Sequence, residues 1–226
     1  MYEEIKYWYL RDHKLFRTLG FAQIRQLCIV TGFKKAGKGE ILYFSNPELP
    51  RIFLLKKGHI KIMEVDGEGN ETTKEVLKKG DFFGQLFLDV ARAPSNEFAK
   101  TLTDDVLICS FLLSDFENLM VKHPQLALSY TKFIGLKMKR LKNNYHNLMF
   151  KDARSRLLIF LREWAESEGN YHGNGVTIEN YLTQTDISQI ICTTRQTVTQ
   201  LLNELKTEGL LEYDRQKITI PDISRI

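Results

Sequence analysis

Cysteine is scarce in this chain of 226 residues, and its three examples, Cys28, Cys109 and Cys192, are far apart. No two are close enough for a zinc or iron–sulfur motif, so they read as small buried apolar residues. Long apolar runs are also missing, and no stretch could span a bilayer. The opening MYEEIKYWYLRDHK carries acids where a signal peptide would be basic and then apolar, which predicts a cytosolic protein. No internal repeat, Walker loop, zinc-ligand spacing or nucleophile motif occurs, so nothing points to an enzyme. Charge of one sign is not in excess either. The net charge of +4 permits nucleic-acid binding without demanding it.

What is present is a change of period along the chain. Tyr2 to Leu10 is spaced like a helix, and Leu15–Leu19 with Ile24–Ile29 suggests a short helix pair. From Phe33 to about Phe116 the pattern becomes short alternating runs broken by Gly58, Gly80 and Gly84. Asp66-Gly67-Glu68-Gly69 lies between two such runs as a hairpin turn. Many short strands with regular turns predict a sandwich or roll. A helix start follows at Ser114-Asp115, and from Gln125 a long helix is expected to reach a hinge at Phe150 to Asp152. Ile134, Met138, Leu141, Tyr145 and Leu148 form a coiled-coil seam along it, while Leu126, Tyr130 and Phe133 form a second stripe. Two stripes need two partners: the helix's own roll and the same helix of a second subunit. Lys137, Lys139, Arg140 and Lys142 form its solvated flank. Asp152 is placed to cap a helix from Ala153 to Ser167, and a polar loop is expected from Glu166 to Gly175.

The stretch LTQTDISQIICTTRQTVTQLLNEL, residues 182–205, holds two helices back to back. Thr183 and Asp186 stand at capping-box spacing before the apolar face Ile187, Ile190 and Ile191. After a break at Cys192-Thr193, a cap from Thr193 or Thr194 opens a second helix, with Gln196 at a capping-box position. That helix buries Val198, Leu201, Leu202 and Leu205. Thr194, Arg195, Gln196, Thr199 and Gln200 are left free at its start, where arginine can read guanine and glutamine adenine. Gly209 ends the helix, and Leu211–Ile220 alternates as a small hairpin about Asp214-Arg215-Gln216, with Arg215 and Lys217 suited to phosphates. A helix-turn-helix followed by a basic hairpin is a winged helix.

Roll, long helix, hinge and winged helix in this order resemble the CRP/FNR family of bacterial transcription regulators. The motifs that carry the resemblance are the helix-turn-helix stretch, KKGDFFGQLFL in the roll and NLMFKDARSRLLIFL at the hinge. It implies an α+β protein with a β-roll, jelly-roll-like sensor domain over residues 1–124. A dimerisation helix and hinge would occupy 125–150, and a winged helix-turn-helix 151–226. It further implies a homodimer on a palindromic operator. DNA contacts would come from Thr194, Arg195, Gln196 and Gln200, with Gln184 and Thr185 near the backbone. RNA polymerase would be met through the 166–175 loop. The alternative is a ligand-binding module whose winged helix docks a protein.

Three departures qualify the DNA site. Gln196 stands where the family usually has an acid, and Gln200 where it often has arginine. The half-site is therefore expected to differ from those of the cyclic-AMP receptor and FNR branches. Cys192 replaces the usual turn glycine and needs a turn that tolerates a Cβ.

The effector pocket departs further. Gly84-Gln85-Leu86 keeps the family turn without its acid, and Ser95-Asn96-Glu97 holds no phosphate-binding arginine; Arg92 is displaced from that position. The base-contacting positions of the long helix read Leu141 and Lys142, and Phe87 adds bulk. Losing the phosphate pair removes about 1.5–3 kcal/mol or more, and Glu97 would repel the anion, so cyclic AMP is expected to bind poorly or not at all. The expected effector is an unidentified small molecule, or none. An iron–sulfur cluster is not expected, since Cys28 alone lies near the N-terminus. Haem stays open through His59, read as lying on a roll strand, with His13, His123 and His146 elsewhere. A cupin-type metal site would need several histidines in the roll, and only His59 lies between Phe33 and Phe116.

Overall fold

Alternation along three strands decides how the first half of the chain is layered. The computed structural model describes residues 10–24, 32–42, 50–84 and 96–226. The described chain divides into two compact units, Met1–Lys139 and Arg140–Ile226. In the first unit the strands are β1 (Gly32–Ala36), β2 (Ile41–Leu42), β3 (Arg51–Lys57), β4 (Ile60–Val65), β5 (Glu71–Leu77), β6 (Phe82–Gly84), β7 (Glu97–Thr101) and β8 (Val106–Leu112). They form two antiparallel sheets, ordered β1-β8-β3-β6 and β2-β7-β4-β5. Leu55, Phe83, Val106 and Ile108 of the first sheet share a core with Leu42, Ile60, Ile62, Leu77 and Ala99 of the second. The intervening positions Ile52, Leu54, Phe82, Cys109 and Phe111 point the other way, into a second core. The first sheet is therefore apolar on both faces, which is why RIFLL and VLICSFL are nearly continuous apolar runs.

That second core is closed by helices. α1 (Leu113–Lys122) supplies Phe116 and Leu119, and α2 (Pro124–Phe150) supplies Leu126 with the half-buried Tyr130 and Phe133. The stripe predicted to face the roll does so. Proline suits the first helical position of α2, where its missing N–H costs nothing. Lys137 is not simply solvated: its Nζ lies 3.2 Å from Glu75 Oε1 and 3.4 Å from the Phe82 carbonyl. The N-terminal segment adds Leu10, Leu15, Phe16, Leu19 and Ile24, around a 3-10 turn at Phe16–Thr18. Of the helices expected over Tyr2–Leu10 and Ile24–Ile29, residues 2–9 and 25–29 lie outside the described residues. His13 fastens the segment to the roll through Nε2 and the Gly80 carbonyl, 2.9 Å apart. Burial pulls this imidazole down to about 4, so it is neutral at ordinary pH.

The hairpin at Asp66 forms as expected, with Asp66 Oδ1 accepting from the amides of Glu68 and Asn70. Two readings are corrected. His59 sits in the turn between β3 and β4, not on a strand, and its amide donates to Thr103 Oγ1. Cys109 is buried, but Cys192 is exposed, in the turn between two helices. Cys28 lies outside the described residues.

The second unit contains α3 (Ala153–Glu168), α4 (Gln184–Ile190) and α5 (Arg195–Thr207). Its four-stranded sheet runs β11-β12-β10-β9, from β9 (Asn170–His172), β10 (Gly175–Glu179), β11 (Glu212–Tyr213) and β12 (Lys217–Ile220). The stretch 166–175 is not a loop. Its start completes α3, and Asn170–His172 pairs with Thr177–Gly175 as a hairpin. Its polar residues suit an exposed edge strand as well as they suit a loop. Asp152 caps α3 by accepting from Ser155 N at 2.7 Å. Among the described residues, no helix is long and apolar enough to cross a membrane.

Candidate nucleic-acid interface

Capping chemistry places both helices of the helix-turn-helix. Thr183 Oγ1 accepts from Asp186 N at 3.1 Å, and Asp186 Oδ2 accepts from Thr183 N at 2.9 Å, closing the predicted box. At α5 the cap is Thr194, whose Oγ1 accepts from Thr197 N at 3.1 Å. Gln196 is thus one residue short of the capping-box position and its side chain projects from the first turn. Val198, Leu201, Leu202 and Leu205 are buried, so α5 turns its other side outward. Gly209 at φ +67 ends the helix, with Leu210 N bonding back to Leu205 O.

On the outer side, Arg195 and Gln196 are exposed at the first turn, and Thr185 is exposed on α4. The other expected contacts are not free. Thr194 is occupied as the cap. Thr199 Oγ1 lies 2.6 Å from Gln184 Oε1, a bond between the two helices, and Gln200 Nε2 donates to Glu204 Oε1 at 2.8 Å. The wing packs on α5 through Tyr213, whose hydroxyl donates to Asn203 Oδ1. Its tip is folded around Asp214, which accepts from the amides of Gln216 and Lys217; these hold its carboxyl below the usual carboxylate range. Arg215 and Lys217 stand exposed beside it.

Cys192 occupies the turn at φ +53, in the left-handed region. A side chain with a Cβ is strained there by roughly 1–2 kcal/mol, against about 0.5–1 kcal/mol of extra unfolded-state entropy for glycine. Cys192→Gly should therefore raise the chemical-denaturation stability of this unit by roughly 0.5–1 kcal/mol. A loss of stability would show that the cysteine side chain is held by contacts that outweigh the strain.

The sequence reading missed two arginines on α3. Arg154 Nη1 donates to Glu208 Oε1 at 3.0 Å, at the end of α5. Arg156 spreads its guanidinium over three carbonyls, those of Ile191, Cys192 and Lys151. Spacing alone carries no signal for either, since their partners are 35 to 54 residues away or are backbone atoms.

Of the effector positions, Gly84 ends β6 at φ +111, where a Cβ would lie 2.6 Å from the Arg51 carbonyl. Only glycine fits there. Asn96 accepts from Val65 N through its carbonyl at 3.1 Å. Glu97 is paired with Lys74, so its repulsion of an anion is offset rather than bare. Gln85, Leu86, Phe87, Arg92 and Ser95 lie outside the described residues. Leu141 and Lys142 are exposed on α2, within the second unit. Met138, Leu141, Tyr145 and Leu148 are likewise exposed, and Ile134 is half-buried.

Comparison with known proteins adds to this geometry. Residues 33–123 match the model of a cyclic nucleotide-binding domain, and residues 155–226 that of a Crp-like helix-turn-helix domain. The global nitrogen regulator of Synechococcus elongatus is 26% identical over 183 residues, covering 81% of this chain and 82% of that one. A CRP-like cAMP-activated global transcriptional regulator of Mycobacterium tuberculosis is 22% identical over 189 residues, 84% of each chain. Among solved structures, a CooA mutant from Carboxydothermus hydrogenoformans superposes with a TM-score of 0.71 at 29% identity, covering 88% of both chains. FixK2 from Bradyrhizobium japonicum reaches a TM-score of 0.71 at 19% identity, covering 87% of this chain and 95% of that one, and shares the fold.

Proposed function

The chain belongs to the CRP/FNR family of bacterial transcription regulators, a family of DNA-binding proteins and not of enzymes, and on that premise we propose that it binds a palindromic operator as a homodimer. The observation that carries this reading is the outer side of α5. Arg195 and Gln196 are exposed at its first turn while the opposite face is buried. A helix presented in this way suits the major groove. Thr194, Thr199, Gln200 and Gln184 then act mainly by fixing the two helices, and Arg215 and Lys217 meet phosphates. Dimerisation is assigned to α2, whose Met138, Leu141, Tyr145 and Leu148 leave a contiguous apolar stripe in the single chain. Residues 1–124 form the sensor, 125–150 the dimer helix with its hinge at Phe150 and Asp152, and 151–226 the DNA-binding domain. RNA polymerase is met through the stretch 166–175, and the site of action is the cytoplasm, where the DNA is.

The effector is an unidentified small molecule or none. Support comes from Ser95-Asn96-Glu97, which holds no arginine where the family places the one that pairs a cyclic phosphate. Titration calorimetry should find no micromolar site for cyclic AMP, and a micromolar Kd would reverse this reading. The operator itself is tested by selecting bound duplexes from a random pool with the purified protein. A palindrome with half-sites about one helical turn apart is the expected product. Binding that does not weaken with added salt would argue against DNA as the partner, because phosphate contacts release counterions.

A further inference from the structure

We infer that Arg156 is a positioning residue that fixes the angle between the helix-turn-helix and the end of the long helix, and so the spacing of half-sites the dimer accepts. The inference rests on the dimeric operator reading above. Arg156 lies in the first turn of α3, four residues after the Asp152 cap. Each nitrogen of its guanidinium meets a different carbonyl: Nε to Ile191 at 2.8 Å, Nη2 to Cys192 at 3.1 Å and Nη1 to Lys151 at 2.6 Å. Ile191 is the C-cap of α4, and Cys192 is the left-handed residue of the turn that leads to α5. Lys151 follows the last residue of α2, and its own amide bonds back to Asn147.

One rigid, planar group therefore bridges the turn of the helix-turn-helix and the joint between α2 and α3. The carbonyls at a helix end have no intrahelical partner, so charge-assisted donors to them are among the stronger bonds available. Arg154, two residues earlier, holds the far end of α5 through Glu208. Turning the backbone about Asp152 then carries α4 and α5 as one body, and it must stretch the Nη1 bond, whose acceptor carbonyl lies on the Lys151 side of that residue. A lysine cannot reproduce this, since it presents a single ammonium in place of a fork. With Arg156 removed, each half-site is still read by the same side chains, but the angle between the two readers is no longer held.

The test uses the full-length dimer and the selected operator with its spacer shortened or lengthened by one base pair, a change of about 35° in half-site direction. Wild type should lose roughly tenfold or more in affinity for each spacer change, about 1.4 kcal/mol. R156Q should lose less than about threefold on the same change, with base-substitution penalties inside each half-site unaltered, and R156K should fall between them. A uniform loss of affinity with the wild-type spacer penalty intact would make Arg156 a stability residue only and overturn the inference. If R156Q is too unstable to purify, R156K carries the comparison, and a wild-type spacer penalty in it has the same consequence. Wild type that accepts every spacer equally would instead overturn the operator reading, and this inference with it.

Discussion

Arg195→Ala should weaken binding to the selected operator by about 1–3 kcal/mol per half-site and relax the preference at one base position. The residue is exposed in the first turn of α5, directly after the Thr194 cap. Among the described residues of that turn it is the group best able to make two parallel hydrogen bonds to a guanine edge, because its fork is planar and always charged. Binding measured against a panel of operators with each base changed in turn separates the two roles open to it. A loss confined to one position identifies a base contact. An equal loss on every operator, with a salt slope smaller by about one unit per Arg195 removed, would make it a phosphate contact. Gln196, one residue further on, predicts adenine near that guanine, since glutamine pairs with adenine in the same two-pronged way.

Phe116→Ala should cost about 3–5 kcal/mol in the N-terminal unit, the largest stability effect expected for the chain. Phe116 is fully buried, and its ring lies 5.4 Å from that of Tyr130, 6.3 Å from Phe82 and 6.4 Å from Phe111. Its removal leaves a cavity where α1, the first sheet and the start of α2 meet, and close-packed rings relax little to fill it. Segment-resolved hydrogen exchange is the suitable readout, because two compact units need not unfold together. Protection should fall across β3, β6, β8 and the first turns of α2, and persist in α5. A loss under about 1 kcal/mol would mean that this core is not close-packed around the ring.

The helix-turn-helix was legible because its signals are local. The Thr183–Asp186 box joins residues three apart, and the buried face of α5 repeats within a helical turn. Gly209 announced its own stop. Where the local reading failed, two local answers competed. Thr193 and Thr194 were equally good caps by type, and only the helix start shows that Thr194 takes the role, which moves Gln196 from cap partner to exposed reader. Asn170–His172 looked like a loop because nothing in so short a polar run reveals its pairing with β10. The arginines on α3 were invisible for the opposite reason. Arg156 bonds backbone carbonyls, which every residue has, so no sequence pattern marks its partners.

Period and capping alone, then, determined the order of roll, long helix and helix-turn-helix, the apolar stripes of α2 and the polar start of α5, because these depend on neighbours within one turn or one strand. Tertiary structure decided which of those polar groups are spent inside the protein. Thr199 and Gln184 were expected to be open and instead bind each other across two helices. Glu97 was expected to be a bare charge and is paired with Lys74. Cys192 was expected to be buried and is exposed in a left-handed turn. A hydrogen bond or ion pair is made between atoms brought together by packing, and distance along the chain carries no record of that meeting.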